Sequence, residues 1–177
     1  MGKIVSATYM TLDGDITNVH DWHGPYAWAE EADAQLDGSD ALIMGRKTYD
    51  AWSAFWPQAT GEFAGRMNSI DKYVVSTTVK GPGWTNTQVI ADDVVTRIGE
   101  LKERTERTIL QYGFGDVTRL MLANGLLDEL RIWLHPVLSG KAAPDDLLFR
   151  EIGQHTLTLN GTQVHDSGLV ILSYSPR

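Results

Sequence analysis

The chain has no cysteine among its 177 residues, which excludes disulfide staples, thiolate nucleophiles and cysteine-based zinc sites and suits a reducing cytoplasm. Any metal would need histidine and carboxylate ligands, and no metal site is expected. No apolar run approaches the roughly 20 residues of a membrane span. Met1-Gly2-Lys3 leads directly into Ile4-Val5-Ser6-Ala7 without the charged and apolar regions of an export signal. A soluble cytoplasmic protein is expected. Lysine and arginine are missing from Ile4 to Gly45, whereas Asp13, Asp15, Asp21, Glu30, Glu31, Asp33, Asp37 and Asp40 all fall there. With a formal net charge of -8, this disfavours nucleic acid as a partner, because phosphate-backbone binding needs clustered cations.

What is present is alternation. Lys3–Met10 reads as a strand and Thr11–Gly24 as a polar loop. A helix is expected from Pro25 to Leu36, ended by Asp37-Gly38-Ser39-Asp40. Ala41–Met44 is a buried strand, and Arg46–Phe55 a helix whose Tyr49, Trp52 and Trp56 form a core-facing stripe. Asp71–Thr77 and Gln88–Ile90 read as strands, Asp93–Arg104 as a helix, and Thr108–Tyr112 as a strand. A helix carrying Val117, Leu120 and Met121 ends at Asn124-Gly125, a good C-cap pair. Leu130–Val137 is a further strand. The tail, His155–Tyr174, alternates and turns at Asp166-Ser167-Gly168, with Asn160-Gly161 either a bulge or a second turn. Such a pattern predicts a single α/β domain with a mixed central sheet flanked by helices on both faces.

Two strands run into glycine turns that open helices: Ala41-Leu42-Ile43-Met44 into Gly45-Arg46-Lys47-Thr48-Tyr49, and Thr108–Tyr112 into Gly113-Phe114-Gly115-Asp116-Val117. A helix N-terminus presents unpaired N–H groups and a partial positive charge, so two of them together would cradle a pyrophosphate. The third glycine of the Rossmann fingerprint is missing after Gly115, and Arg46 interrupts the Gly-Lys pair of an ATPase phosphate loop. Neither common nucleotide motif is met.

In order along the chain, these turns, Val75-Ser76-Thr77-Thr78, Thr11-Leu12-Asp13-Gly14 and Gly125–Leu130 leading into His135-Pro136-Val137-Leu138-Ser139-Gly140 resemble the dihydrofolate reductase superfamily. More closely, they are similar to the single-domain relatives of the reductase domain of the bifunctional riboflavin-biosynthesis enzyme. The resemblance implies a dihydrofolate-reductase-like three-layer α/β/α fold that binds NADPH and reduces a small C=N or C=O substrate. It implies Arg46 and Lys47 at the ribose 2′-phosphate and Ser76 and Thr77 at the adenosine end. Thr48 sits in the same turn as the cations, and Gly113, Phe114, Gly115, Asp116 and Val117 are expected at the pyrophosphate. Two adjacent cations in one turn suit a 2′-phosphate, which favours NADPH over NADH.

The chain departs from both relatives. Ala27 stands where dihydrofolate reductases carry a carboxylate, although Glu30, Glu31 or Asp33 could reach in from the next turn. The lack of lysine and arginine from Ile4 to Gly45 disfavours a phosphorylated substrate there. Asp13 is the candidate catalytic residue, as proton donor or substrate-orienting group, or else it makes a turn with Gly14. His20 or His23 is another proton source, and Trp22 and Trp28 are candidate pocket walls. A catalytically silent NADP(H)-binding or sensor protein is the alternative function. A homodimer is expected through the sparsely charged tail, with Trp133 as an aromatic anchor.

Overall fold

The computed structural model describes residues 1–24, 30–148 and 153–177. Among them, eight strands form one sheet: β1 (Lys3–Thr11), β2 (Ser39–Gly45), β3 (Asp71–Val75), β4 (Thr87–Ile90), β5 (Thr108–Tyr112), β6 (Glu129–His135), β7 (Leu157–Val164) and β8 (Val170–Pro176). Their order is β4-β3-β2-β5-β1-β6-β8-β7. The first six run parallel, and β8 and β7 close the sheet antiparallel. The hairpin turns where expected, with His165 N–H donating to Leu169 O at 2.9 Å. A register shift between Leu159 and Gly161 resolves Asn160-Gly161 as a bulge.

Strand residues alternate between two cores because successive side chains leave a strand on opposite faces. Ile4, Ile43 and Ile109 pack with Ile98 and Leu101 of α5 (Val94–Arg104) and with Val117 and Met121 of α6 (Asp116–Ala123). Their neighbours Val5, Leu42 and Leu110 pack on the other side. There they meet Leu36 of α2 (Glu30–Asp37), Tyr49 of α3 (Arg46–Phe55) and Met67 of α4 (Glu62–Ser69). The sheet is therefore apolar on both faces, as a parallel sheet between two helical layers must be.

Two of the α-helices have no counterpart in the sequence reading. The short helix α1 (Val19–Trp22) buries no residue, and α4 fills a stretch to which the sequence reading assigned no element. With eight residues, a glycine N-cap at φ 107 and only Ala64 and Met67 buried, α4 carries too short an apolar stripe to stand out. The expected helix start at Pro25, together with Ala27 and Trp28, lies outside the described residues.

Lys72, fully buried, ties the β3–β4 region together. Its Nζ donates to the carbonyls of Asn68 (3.0 Å), Ile70 (2.6 Å) and Thr85 (3.1 Å), and it lies 4.6 Å from the Trp84 ring centre. Burial pulls its pKa down to about 8, which still leaves an ammonium at neutral pH to serve those acceptors.

Candidate functional site

β2 and β5 are neighbours, yet α3 leaves β2 on one face and α6 leaves β5 on the other. A crevice opens beyond the strand ends at such a reversal, and ligands of open α/β sheets bind there. Both glycine turns sit in it. A Cβ added to Gly45 would lie 3.4 Å from Val117 Cγ2, so the turns touch.

The first turn carries the cations. Gly45 caps α3 in an extended conformation. Arg46 is exposed; its Nε donates to Asp50 Oδ2 at 3.0 Å and its Nη1 to Thr78 Oγ1 at 3.1 Å. Gly45 and Val75 are in register across β2 and β3, which brings the loop after β3 alongside. Ser76 shapes that loop, its Oγ accepting the N–H groups of Thr78 (3.1 Å) and Val79 (3.2 Å). The result is an open cavity of about 290 Å³ lined by Arg46, Tyr49, Asp50, Thr78, Lys80 and Pro82. Lys47 and Thr77 are exposed beside it and Thr48 is half-buried. Thr78 and Lys80 escaped the sequence reading; the repeated Ser-Thr-Thr was visible, but the register that selects Thr78 was not.

The second turn is anchored to β1. Gly113 N–H donates to Ala7 O at 2.7 Å and Ser6 Oγ to Gly113 O at 3.0 Å. Gly113 has φ +86, a conformation that costs other residues roughly 1–2 kcal/mol. Gly115 N–H donates to Thr118 Oγ1 at 3.2 Å, and Thr118 donates in turn to buried Gln111 Oε1 at 2.9 Å. The ladder of α6 starts with Arg119 N–H on Gly115 O, so the amides of Asp116, Val117 and Thr118 precede it. A Cβ on Gly113 or Gly115 would meet nothing within 4 Å, which leaves room for a phosphate against the backbone. Phe114 and Val117 point their side chains into the core. Asp116 pairs with Arg119 at 2.9 Å, so its contribution to an anion site is its amide rather than its carboxylate.

Asp13 is held by another loop. Its carboxylate accepts from Thr11 Oγ1, Ser139 N (3.0 Å), Ser139 Oγ (3.2 Å) and Gly140 N (2.8 Å). The Thr11 hydroxyl, followed by the Gly140 and Ser139 amides, holds its pKa well below the usual carboxylate range. A carboxylate so stabilised does not protonate near neutrality, which argues against the proton-donor role. Its acceptor bonds tie the β1 loop to the β6 loop, while the turn at Gly14 is closed by the backbone, Gly14 N–H donating to Thr11 O at 3.0 Å.

The other candidate carboxylates are directed elsewhere. Asp33 pairs with Arg66, and Glu31 Oε1 lies 3.7 Å from His165 Nε2. His20 pairs with Asp21 on the exposed α1. His23 bonds to Val19 O at 2.8 Å and stacks on Tyr9, the ring centres 6.1 Å apart. Trp22 packs roughly at right angles to buried His135, the ring centres 5.1 Å apart, and burial lowers the His135 pKa. Trp52 and Trp56 are only half-buried; Trp52 lies 5.5 Å from Tyr112 and Trp56 5.5 Å from Phe63. Both pack against the core cluster on the α3 face of the sheet.

Among the described residues, no group of three or more His, Cys, Asp or Glu converges on a metal position, and no helix is long and apolar enough to cross a membrane.

The comparisons with known proteins bear on the fold and the family. The chain is 28% identical over 145 residues to the uncharacterised Bacillus subtilis protein YyaP, covering 78% of this chain and 75% of that one. The crystal structure of a putative riboflavin biosynthesis protein from Shewanella sp. PV-4 superposes with a TM-score of 0.76 at 22% identity, covering 99% of both chains. Dihydrofolate reductase from Enterococcus faecalis, solved with NADP(H), gives a TM-score of 0.64 at 13% identity over 99% of this chain and 96% of that one. These confirm the dihydrofolate-reductase-like fold. The model of the RibD C-terminal domain matches residues 2–171, and this chain therefore belongs to the RibD C-terminal domain family.

Proposed function

We propose that the protein is an NADPH-dependent reductase of the cytoplasm that transfers hydride to a small C=N or C=O substrate. One observation carries the reading: two helix N-termini meet at the ends of adjacent strands, with Gly45 against Val117 and Arg46 beside them. Gly113, Gly115 and the amides of Asp116 and Val117 would hold the pyrophosphate. Arg46, Lys47 and Lys80 would take the 2′-phosphate, with Ser76, Thr77 and Thr78 at the adenosine end and Thr48 next to the turn. When bound, the cofactor supplies the hydride. The chain's own residues hold the dinucleotide, wall the adjoining space with Trp52 and Tyr9, and present hydrogen-bond donors to the substrate.

The likeness to the Shewanella protein, which is named for riboflavin biosynthesis, supports a heterocyclic substrate, with 5-amino-6-(5-phosphoribosylamino)uracil as the nearest nameable one. Cofactor oxidation followed by absorbance with ribosylaminopyrimidines, pterins and simple carbonyls tests this. Turnover of any of them supports reductase activity. Tight NADPH binding without turnover would favour the alternative of a silent NADP(H) sensor, a reading supported by the engagement of Asp13, Glu31 and Asp33 with other partners.

A further inference from the structure

The cavity beside the first turn is lined by two cations, Arg46 and Lys80, and by one anion, Asp50. Helix stability does not account for that anion. Arg46 is the first residue of α3 and Asp50 the fifth, so the cation sits at the positive end of the helix dipole and the acid lies past the first turn, where the dipole no longer favours it. An acid four residues before a cation supports a helix better than this reverse order. Both side chains are more than half exposed, and exposed pairs contribute little to folding.

The pair does act on the cavity. Asp50 Oδ2 accepts from Arg46 Nε at 3.0 Å, and Thr78 Oγ1 accepts from Nη1 at 3.1 Å. A phosphate entering here therefore meets a guanidinium already paired with a carboxylate, and it meets the charge of that carboxylate as well. Asp50 Oδ1 has no hydrogen-bond partner among the described residues, which leaves it free to accept. In dinucleotide sites a carboxylate accepts from a ribose 2′-hydroxyl, whereas an arginine takes a 2′-phosphate. This cavity carries both groups, joined to each other.

We propose that Asp50 is the cofactor-selectivity residue of this site: it competes with a 2′-phosphate for Arg46, accepts from a 2′-hydroxyl, and so holds the preference for NADPH below the level that Arg46 and Lys80 alone would set. This rests on the dinucleotide reading above. Like charge works against the phosphorylated cofactor only, because the 2′-hydroxyl of NADH is neutral and gains an acceptor. Discrimination of this kind combines an attractive group for one ligand with a repulsive one for its rival.

Dissociation constants of NADPH and NADH, measured by fluorescence titration for wild type, Asp50→Asn and Asp50→Glu, test the proposal. In Asp50→Asn, NADPH should bind about fivefold more tightly, the size of one like-charge contact in a high-dielectric setting, and NADH about twofold more weakly. Asp50→Glu keeps the charge and should keep both affinities within about twofold. Raising the ionic strength from about 0.01 M to about 1 M shortens the screening length from roughly 30 Å to roughly 3 Å, and the NADPH gain of Asp50→Asn over wild type should vanish with it. A preference for NADPH that is unchanged or lower in Asp50→Asn, the same gain in Asp50→Glu, or a gain that survives high salt overturns this proposal and leaves the cofactor reading in place. Failure of wild type to bind NADPH overturns that reading, and this proposal with it.

Discussion

Gly45 of β2 and Val117 of α6 are in contact across the crevice: a methyl group on Gly45 would stand 3.4 Å from Val117 Cγ2. Gly45 has φ -83, so side chains are permitted there and only space limits them. Gly45→Ala should fold with a melting temperature close to wild type. Gly45→Ile should press on the first turn of α6, cost about 1–3 kcal/mol through overpacking, and weaken NADPH at least tenfold. Thermal melts and cofactor titrations of the two variants check this; equal NADPH affinity in both would separate the contact from binding.

The two glycines of the second turn should fail in different ways. Gly115 has φ -158, extended backbone open to any residue, and a Cβ there points into free space. Gly115→Val should therefore stay folded and lose NADPH. Gly113 has φ +86, so Gly113→Ala should lower stability by roughly 1–2 kcal/mol through backbone strain. Denaturant unfolding of both, with cofactor titration, distinguishes them. Normal binding by Gly115→Val would reduce the turn to a structural corner.

Asp13 should act as a latch between two loops. Its folded pKa lies below the value of about 3.9 for a free carboxyl. The carboxylate therefore contributes fully above about pH 4, and the contribution fades as pH falls below that. Amide exchange of Ser139 and Gly140, measured by NMR, should be protected similarly from pH 8 to pH 5, and Asp13→Asn should accelerate it several-fold. NADPH affinity should not change. Identical exchange in the variant would remove the latch.

The outer strand β7 is expected to pair two copies of the chain. Leu159 is 51% exposed and Val164 76%, and the strand, LTLNGTQV, carries no charge to guard its edge. Trp133 takes no part, because it is buried beneath Leu169 and Ile171. Light scattering at micromolar concentration should give twice the chain mass of 19.6 kDa, and Leu159→Lys should return it to one. A wild-type mass of one chain ends the dimer proposal.

Much of the fold was legible because its signals are local. The runs at Ala41–Met44 and Thr108–Tyr112, each followed by glycine, mark parallel strands by composition alone. The side-chain roles were harder to read because they depend on register. Nothing in the sequence pairs Val75 with Gly45 and so aims Thr78 rather than Thr77 at Arg46. Likewise, Arg131 lies far along the chain from Gln35, and only the parallel pairing of β6 with β1 brings them together over Ala7. The absence of lysine and arginine from Ile4 to Gly45 was real in sequence, yet β6 supplies a cation, Arg131, to Gln35 of that stretch. Asp13 was found by its place after β1, but its partners other than Thr11 come from residues 139 and 140, more than 120 positions later.

The central claim is a built site for NADPH, and the most direct measurement is a fluorescence titration of wild type and Arg46→Ala with NADPH and NADH. The exposed Arg46, with Lys47 and Lys80 close by, should give the wild type at least a tenfold preference for NADPH. Charge-assisted hydrogen bonds to phosphate are worth roughly 1.5–3 kcal/mol, so Arg46→Ala should lose most of that preference while NADH affinity holds. Equal affinities in the wild type, or no binding of either cofactor, would contradict the account.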